Sequence, residues 1–145
     1  MQSLRAGASA AEGAVHGILL AFPIALFTTA LITDIAYLRT AQVQWTNFSS
    51  WLIAGALVGG GAVLAWSLIR LLFAWRTPAR RVRMVYAAVV AVMWVLGLIN
   101  AFKHSQDAWT SVGAFGVTLS LICTLLALAA GVIAFSGRLD REVIR

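Results

Sequence analysis

The sequence contains few charged residues: Asp, Glu, Lys and Arg make up 11% of its 145 residues, whereas 61% are hydrophobic. A soluble domain carries roughly 25% charged residues, so this chain cannot build a surface that faces water. Its long apolar runs match the roughly 20 residues that a helix needs to cross a bilayer. We therefore predict an all-α fold, an integral membrane four-helix bundle with a single domain over residues 1–145. The predicted helices are at about 14–37, 51–73, 84–102 and 109–135.

Cysteine is almost absent as well. The one cysteine, Cys123, lies inside the fourth apolar run. A single thiol cannot form an internal disulfide, and it has no companion ligands for a metal site. We interpret Cys123 as a packing residue and predict no metal site. Because the sequence also shows no phosphate-binding loop and no nucleophile–base pair, we expect no enzymatic activity.

The basic residues are concentrated in particular segments. Nine of the eleven Lys and Arg residues precede the first helix, lie around the link between the second and third, or follow the fourth. Lys and Arg are enriched in cytoplasmic loops, so we predict that both termini and the central link are cytoplasmic (N-in/C-in). We attribute the net charge of +6 to topology and lipid contact rather than to nucleic acid. The residues expected at the lipid head groups are Arg76, Arg80, Arg81 and Arg83.

Aromatic residues indicate the same boundaries, because Trp and Tyr collect at the two interfaces of a membrane. We assign them to an outer and an inner group by their places along the predicted helices. The outer group is Tyr37, Trp45, Trp51 and Trp109, and the inner group is Trp75 and Tyr86.

The sequence has only two histidines, His16 and His104. In the N-in topology His16 lies near the inner end of helix 1, and His104 follows helix 3 in an outer loop, on the order of 30 Å away. One chain therefore cannot place both on one haem iron. Two interpretations stay open for His16: it pairs with Met84 as a haem ligand, or it is an interfacial side chain bonded to water or lipid. We expect no resident cofactor, and haem b or a quinone is the alternative.

Asp34 lies well inside an apolar run, and ionisable residues inside a membrane are candidates for function. Since it is about one turn from the outer end of helix 1, we expect it to reach the interface or to meet Arg39 or Lys103. Asn100, at the outer end of helix 3, is expected to bond Asp34 or a neighbouring helix. His16 is about 27 Å from Asp34 along one helix, so the two do not share a site.

Small residues recur at helical spacing in the second and fourth runs, where they let helices approach closely. We expect these residues to pack inside the bundle, with contact to a partner as the alternative. The predicted helix-packing residues are Gly55, Gly59, Gly113, Gly116 and Gly131.

The stretch "VHGILLAFPIALFTTALITDIAY" resembles the first-helix signature of a bacterial membrane-protein family, domain of unknown function 2231. The second helix, the basic link and the last third fit that family more loosely. Some relatives accompany redox modules, which implies a haem or quinone role. This chain departs from the family at Tyr86, where members often have a histidine, and it lacks most other polar positions. The residues that match the signature are His16, Phe22, Pro23, Ile24, Leu26 and Asp34.

We predict a non-catalytic, multi-pass subunit of the bacterial inner (cytoplasmic) membrane. It would anchor or stabilise a larger assembly, such as an electron-transfer or respiratory complex. The expected partners are the lipid bilayer and either other membrane subunits or further copies of the chain. Two alternatives stay open: a haem- or quinone-binding electron carrier, and a small transporter that uses Asp34.

Overall fold

The computed structural model describes residues 2–74, 76–106 and 112–143, which form four α-helices. Each helix contains a segment long and apolar enough to cross a membrane, the shortest having 23 residues, and the described residues contain no strand. The prediction of an all-α, four-helix membrane fold is confirmed. The helices are α1 (Gln2–Thr40), α2 (Val43–Phe73), α3 (Arg80–His104) and α4 (Ala114–Val143).

The helix ends differ from the predicted ones at the start of α1, which begins at Gln2 rather than at 14, and at the α1–α2 link, which is only two residues long. Residues 43–50, expected in a loop, form the first turns of α2 because several of their hydroxyl groups find partners inside the bundle. The sharp reversal is made by Ala41, whose φ of 54° lies in the left-handed region. Its N–H donates to the carbonyl oxygen of Tyr37 at 2.8 Å and closes α1.

The ends of α3 and α4 also differ from the prediction. α3 continues to His104, so this histidine is helical rather than part of a loop. α4 begins at Ala114, and the predicted start at 109 falls in residues 107–111, outside the described part of the chain. Trp75 and Trp109, assigned above to the membrane boundaries, also lie outside the described residues.

The four helices form a closed bundle in which each packs against two others. α1 and α3 each contact α2 and α4, so α1 and α3 occupy opposite corners. The short links make successive helices antiparallel, and α1 and α3 therefore run in the same direction. We name the two ends of the bundle the His16 end and the His104 end. Large apolar side chains cover the outside, as lipid requires; Val58, for example, is 79% exposed.

Glycines allow the helices to approach closely at the centre of the bundle. A Cβ atom on Gly59 of α2 would lie 2.6 Å from the Cβ of Phe22 on α1. A Cβ on Gly97 of α3, a glycine outside the predicted set, would lie 2.7 Å from the ring of the fully buried Phe27. Both distances are shorter than real Cβ contacts. A larger residue at position 59 would push α1 away from α2, and one at position 97 would displace the ring of Phe27.

The other predicted packing glycines differ in how closely the rest of the bundle approaches them. A Cβ on Gly55 or on Gly131 would lie 3.0 or 3.1 Å from a side chain of α1, so both lie at close contacts. Gly116 is buried near the start of α4. Contrary to the prediction, Gly113 does not pack within this chain: it precedes α4, is exposed, and a Cβ there would have no neighbour within 4 Å.

Candidate functional site

Asp34 is fully buried at the His104 end, where α1, α3 and α4 meet. Its Oδ1 atom lies 2.9 Å from Nε2 of His104 on α3. Its Oδ2 atom accepts a hydrogen bond of 2.6 Å from the hydroxyl group of Ser120 on α4. The acid therefore joins three helices, and one of these contacts crosses the bundle between opposite corners.

The prediction that Asp34 reaches the interface or meets Arg39 or Lys103 is wrong. Arg39 follows Asp34 by five residues, which is about 140° around the helix, and its side chain is exposed. The Nζ atom of Lys103 instead donates to Oε1 of Gln106 at 3.1 Å. The orientation of each helix about its axis therefore directs the carboxylate inward and both cationic side chains away from it.

The hydrogen bonds of His104 define its protonation. Its Nδ1 atom lies 2.9 Å from the backbone carbonyl oxygen of Asn100, and a carbonyl only accepts, so Nδ1 carries a hydrogen. The 2.9 Å contact between Nε2 and Asp34 then needs one further proton between its two atoms. Either an imidazolium donates to a carboxylate, or a carboxylic acid donates to a neutral imidazole. The pair has no net charge in both cases, which lowers the cost of burying it in a membrane protein.

Asn100 completes a ring of hydrogen bonds around the acid. Its Nδ2 atom donates to Oγ of Ser120 at 2.9 Å, and its backbone carbonyl accepts from His104. The side chain is fully buried, and its Oδ1 atom has no hydrogen-bond partner among the described residues. We call Asp34, Asn100, His104 and Ser120 the polar cluster.

The helix α2, which has no residue in the polar cluster, bonds its neighbours through hydroxyl groups. Ser49 of α2 bonds Thr33 of α1, next to Asp34, at 2.7 Å, and both are buried. Ser50 of α2 donates to the backbone carbonyl of His104 at 3.3 Å. Beside these residues lies an open depression of about 430 Å³. The residues lining it are Val43, Gln44, Thr46, Asn47, Ser50, His104 and Gln106.

His16 lies at the opposite end of the bundle, half-buried between α1 and α3. Its Nε2 atom is 2.9 Å from the hydroxyl group of Tyr86, and its ring centroid is 6.3 Å from that of Trp66. The structure therefore places a tyrosine and a tryptophan around this imidazole rather than water or lipid alone. Met84 is 44% exposed, two residues before Tyr86 in α3, and its pairing with His16 as a haem ligand stays a prediction.

Basic side chains surround the His16 end. Arg70 forms an ion pair with Glu12, and its backbone carbonyl accepts a hydrogen bond of 2.9 Å from Arg83. Arg76 and Arg81 are exposed, and Arg80 is half-buried at the start of α3. This distribution suits contact with lipid head groups, and the leaflet that they face stays a prediction.

Comparison with known families places the whole bundle in one group. The family model described as predicted membrane protein (DUF2231) matches residues 12–138, from the first span to beyond the fourth. The chain belongs to the DUF2231 family. No curated protein and no protein of solved structure gives a significant match.

Two members of the polar cluster in this DUF2231 protein were not recognisable as site residues in the sequence. The sequence predicts a loop at His104, although its spacing of four residues from Asn100 is that of neighbours on one helix face. Ser120 was one of many small residues in α4. Of the two predicted partners for Asn100, the neighbouring helix is correct, because Asn100 donates to Ser120 of α4, and its link to Asp34 runs through that serine.

Proposed function

We propose that this chain is a non-catalytic membrane subunit that stabilises a larger assembly, such as an electron-transfer complex, by packing against a helix of another membrane protein. The observation that carries the proposal is a difference between the two sides of the bundle. The lipid-facing middle of α1 and α2 contains several exposed alanines beside Phe22 and Val58, whereas that of α3 and α4 consists mainly of long or branched side chains. Close helix packing in membranes favours small residues, so we place the partner against α1 and α2.

The small-residue side is clearest on α2. Ala54, Ala62 and Ala65 are exposed on the same helix face as Val58, at intervals of three and four residues. On the neighbouring helix α1, Ala21 is exposed at a similar depth. The closest glycines are already occupied by contacts inside the bundle, which leaves this alanine face for a contact outside it.

The opposite side supports the contrast. The outward residues in the middle of α3 and α4 have long or branched side chains, which hold a neighbouring helix at a greater distance. Their exposed fractions are 49% for Val92, 51% for Val95, 57% for Leu125, 46% for Leu128 and 68% for Val132.

The test is the size of the particle after gentle extraction from native membranes. We expect the wild-type chain to co-purify with another membrane protein, and Ala62→Leu to reduce the recovered partner at least tenfold because the larger side chain separates the two helices. Ala129→Leu is the matched control, since this alanine is exposed on α4. A stable monomer of the wild-type protein would contradict the proposal. A particle that contains several copies of this chain and no other protein would show that the partner is a second copy.

The polar cluster fits a supporting role in such a subunit. Its hydrogen bonds join α1, α3 and α4, and Ser50 of α2 bonds the backbone carbonyl of His104, so all four helices are held in one arrangement. The haem or quinone alternative is tested by the visible spectrum of the purified protein, in which His16→Ala would have to abolish a haem band. The transporter alternative requires that Asp34→Asn eliminates flux into vesicles.

A further inference from the structure

One acceptor in the polar cluster is unused by the described residues. The side-chain oxygen Oδ1 of Asn100 is buried without a hydrogen-bond partner, in a residue that is 0% exposed. A buried acceptor of this kind is costly, and it is more costly inside a membrane protein, where water is scarce. Its presence therefore requires a physical reason.

The hydrogen bonds that end at Asp34 have a direction that is reversible. Asn100 now donates to Ser120, and Ser120 donates to Oδ2 of Asp34. A hydroxyl group both donates and accepts, and a carboxamide has a donor on one side and an acceptor on the other. The same three side chains therefore form an equally long chain in the opposite direction once the carboxylate becomes a donor.

We propose that Asp34, Ser120 and Asn100 form a buried proton-binding site. A proton from a hydronium ion binds Oδ2 of Asp34 and leaves a water molecule behind. The new O–H of Asp34 donates to Oγ of Ser120, and the Ser120 hydroxyl turns to Oδ1 of Asn100, whose amide rotates by half a turn. The number of hydrogen bonds in the chain is unchanged, and in the imidazolium–carboxylate form of the pair His104 keeps its bond to Oδ1 of Asp34.

The open depression at the His104 end gives the aqueous phase a path to this site. His104 lies in its lining and also contacts Asp34, so one residue separates the depression from the carboxylate. Ser50 lies in the same lining and bonds the backbone of His104. Proton entry therefore needs only a local displacement at the end of α3.

Other charged side chains lie at this end of the bundle. Arg39 on α1 is exposed, and the Nζ atom of Lys103 on α3 donates to Gln106. On the part of α2 that the structure describes here, the polar side chains are hydroxyls and amides. The remaining ionisable side chains described nearby are Tyr37 on α1 and Cys123 on α4.

Infrared difference spectroscopy between neutral and acid pH tests proton binding on the full-length protein in liposomes. The sequence has three aspartates, so the double variant Asp107→Asn/Asp140→Asn keeps Asp34 as the only one. With carbon-13 aspartate, we expect labelled carboxylate bands to be replaced reversibly by a labelled carboxylic acid band on acidification. Labelled bands that stay unchanged while circular dichroism shows an intact helical protein would overturn the proposal.

A second measurement tests the reversal of the chain. The sequence has two asparagines, so nitrogen-15 asparagine in an Asn47→Ser variant reports on Asn100 alone. We expect its side-chain amide resonance to move with the same pH midpoint as the Asp34 band. Ser120→Thr should preserve this movement and Ser120→Ala should abolish it. A resonance that ignores pH, or that moves equally without the hydroxyl group, would overturn the reversal.

Discussion

Asp34 and His104 are 70 positions apart in the sequence, yet their side chains meet at 2.9 Å inside the bundle. Each side chain supplies the hydrogen-bond partner that the other needs in order to be buried. A lone carboxylate in this place would be a buried charge, and a lone imidazole would have one unpaired nitrogen. The backbone carbonyl of Asn100 selects the Nδ1–H form of the ring, and this choice directs Nε2 to the acid.

Ala41 provides a residue-scale prediction about stability. Its φ of 54° is unfavourable for a residue with a Cβ atom and easily adopted by glycine. We expect Ala41→Gly to raise the free energy of unfolding by about 0.5 to 1 kcal/mol, measured by thermal unfolding in detergent.

The control is Ala25→Gly, in the exposed interior of α1. There glycine should lower the free energy of unfolding by about 1 kcal/mol because it weakens a regular helix. If both variants lost stability equally, the strain assigned to the α1–α2 link would be disproved.

Gly59 gives a second prediction at this scale. A Cβ there would lie 2.6 Å from the Cβ of Phe22, an atom fixed by the α1 backbone, so the helices must separate. We expect Gly59→Ala to reduce the free energy of unfolding by about 1 to 3 kcal/mol. Gly113→Ala, where a Cβ has no neighbour within 4 Å, should leave stability nearly unchanged. Equal effects in the two variants would contradict the close α1–α2 contact.

At the scale of the helical element, polar residues act through their position on a helix face. Asn100 and His104 lie one turn apart on α3, so both turn toward the bundle interior together. α1 meets them with Asp34, and α4 meets them with Ser120. Three helices must therefore have the correct rotation at the same time, which gives the bundle a defined arrangement that apolar contacts alone specify weakly.

Ser120→Ala tests whether these hydrogen bonds between helices stabilise the bundle. It leaves Nδ2 of Asn100 and Oδ2 of Asp34 without a shared partner, so the α1–α4 and α3–α4 contacts weaken together. We expect a loss of about 1 to 2 kcal/mol in the free energy of unfolding, the upper part of the range for polar contacts in membrane proteins. Unfolding in a mixed detergent measures this loss.

Ser67→Ala is the matched control. Ser67 is also buried, but its hydroxyl group donates to a carbonyl of its own helix, that of Leu64 at 2.8 Å. Its removal should change stability much less. If the two serine variants had the same effect, the contact between helices would add nothing beyond the loss of a hydroxyl group.

At the scale of the whole molecule, the two ends of the bundle have different chemistry. The His16 end carries most of the basic side chains described, and the His104 end carries the buried acid and the open depression. The charge pattern predicts that the His16 end faces the cytoplasm. The depression then opens to the opposite side of the membrane.

Single-cysteine labelling tests this orientation. Native Cys123 is buried and serves as an unreactive background. We expect Gln42→Cys, in the exposed α1–α2 link, to react with a membrane-impermeant maleimide in intact cells. Thr77→Cys, in the exposed α2–α3 link, should react only after lysis. The reverse labelling pattern would show that the His104 end, and not the His16 end, faces the cytoplasm.

The sequence by itself determined the number of helices, their membrane-spanning lengths and the family, because apolar length and signature residues are local properties. It also marked Asp34 and Asn100 as unusual. Only the tertiary structure decided the partners: His104 rather than Arg39 or Lys103 for the acid, and Ser120 between Asp34 and Asn100. The physical reason is that lipid makes both faces of a spanning helix apolar, so the sequence carries little record of which face turns inward.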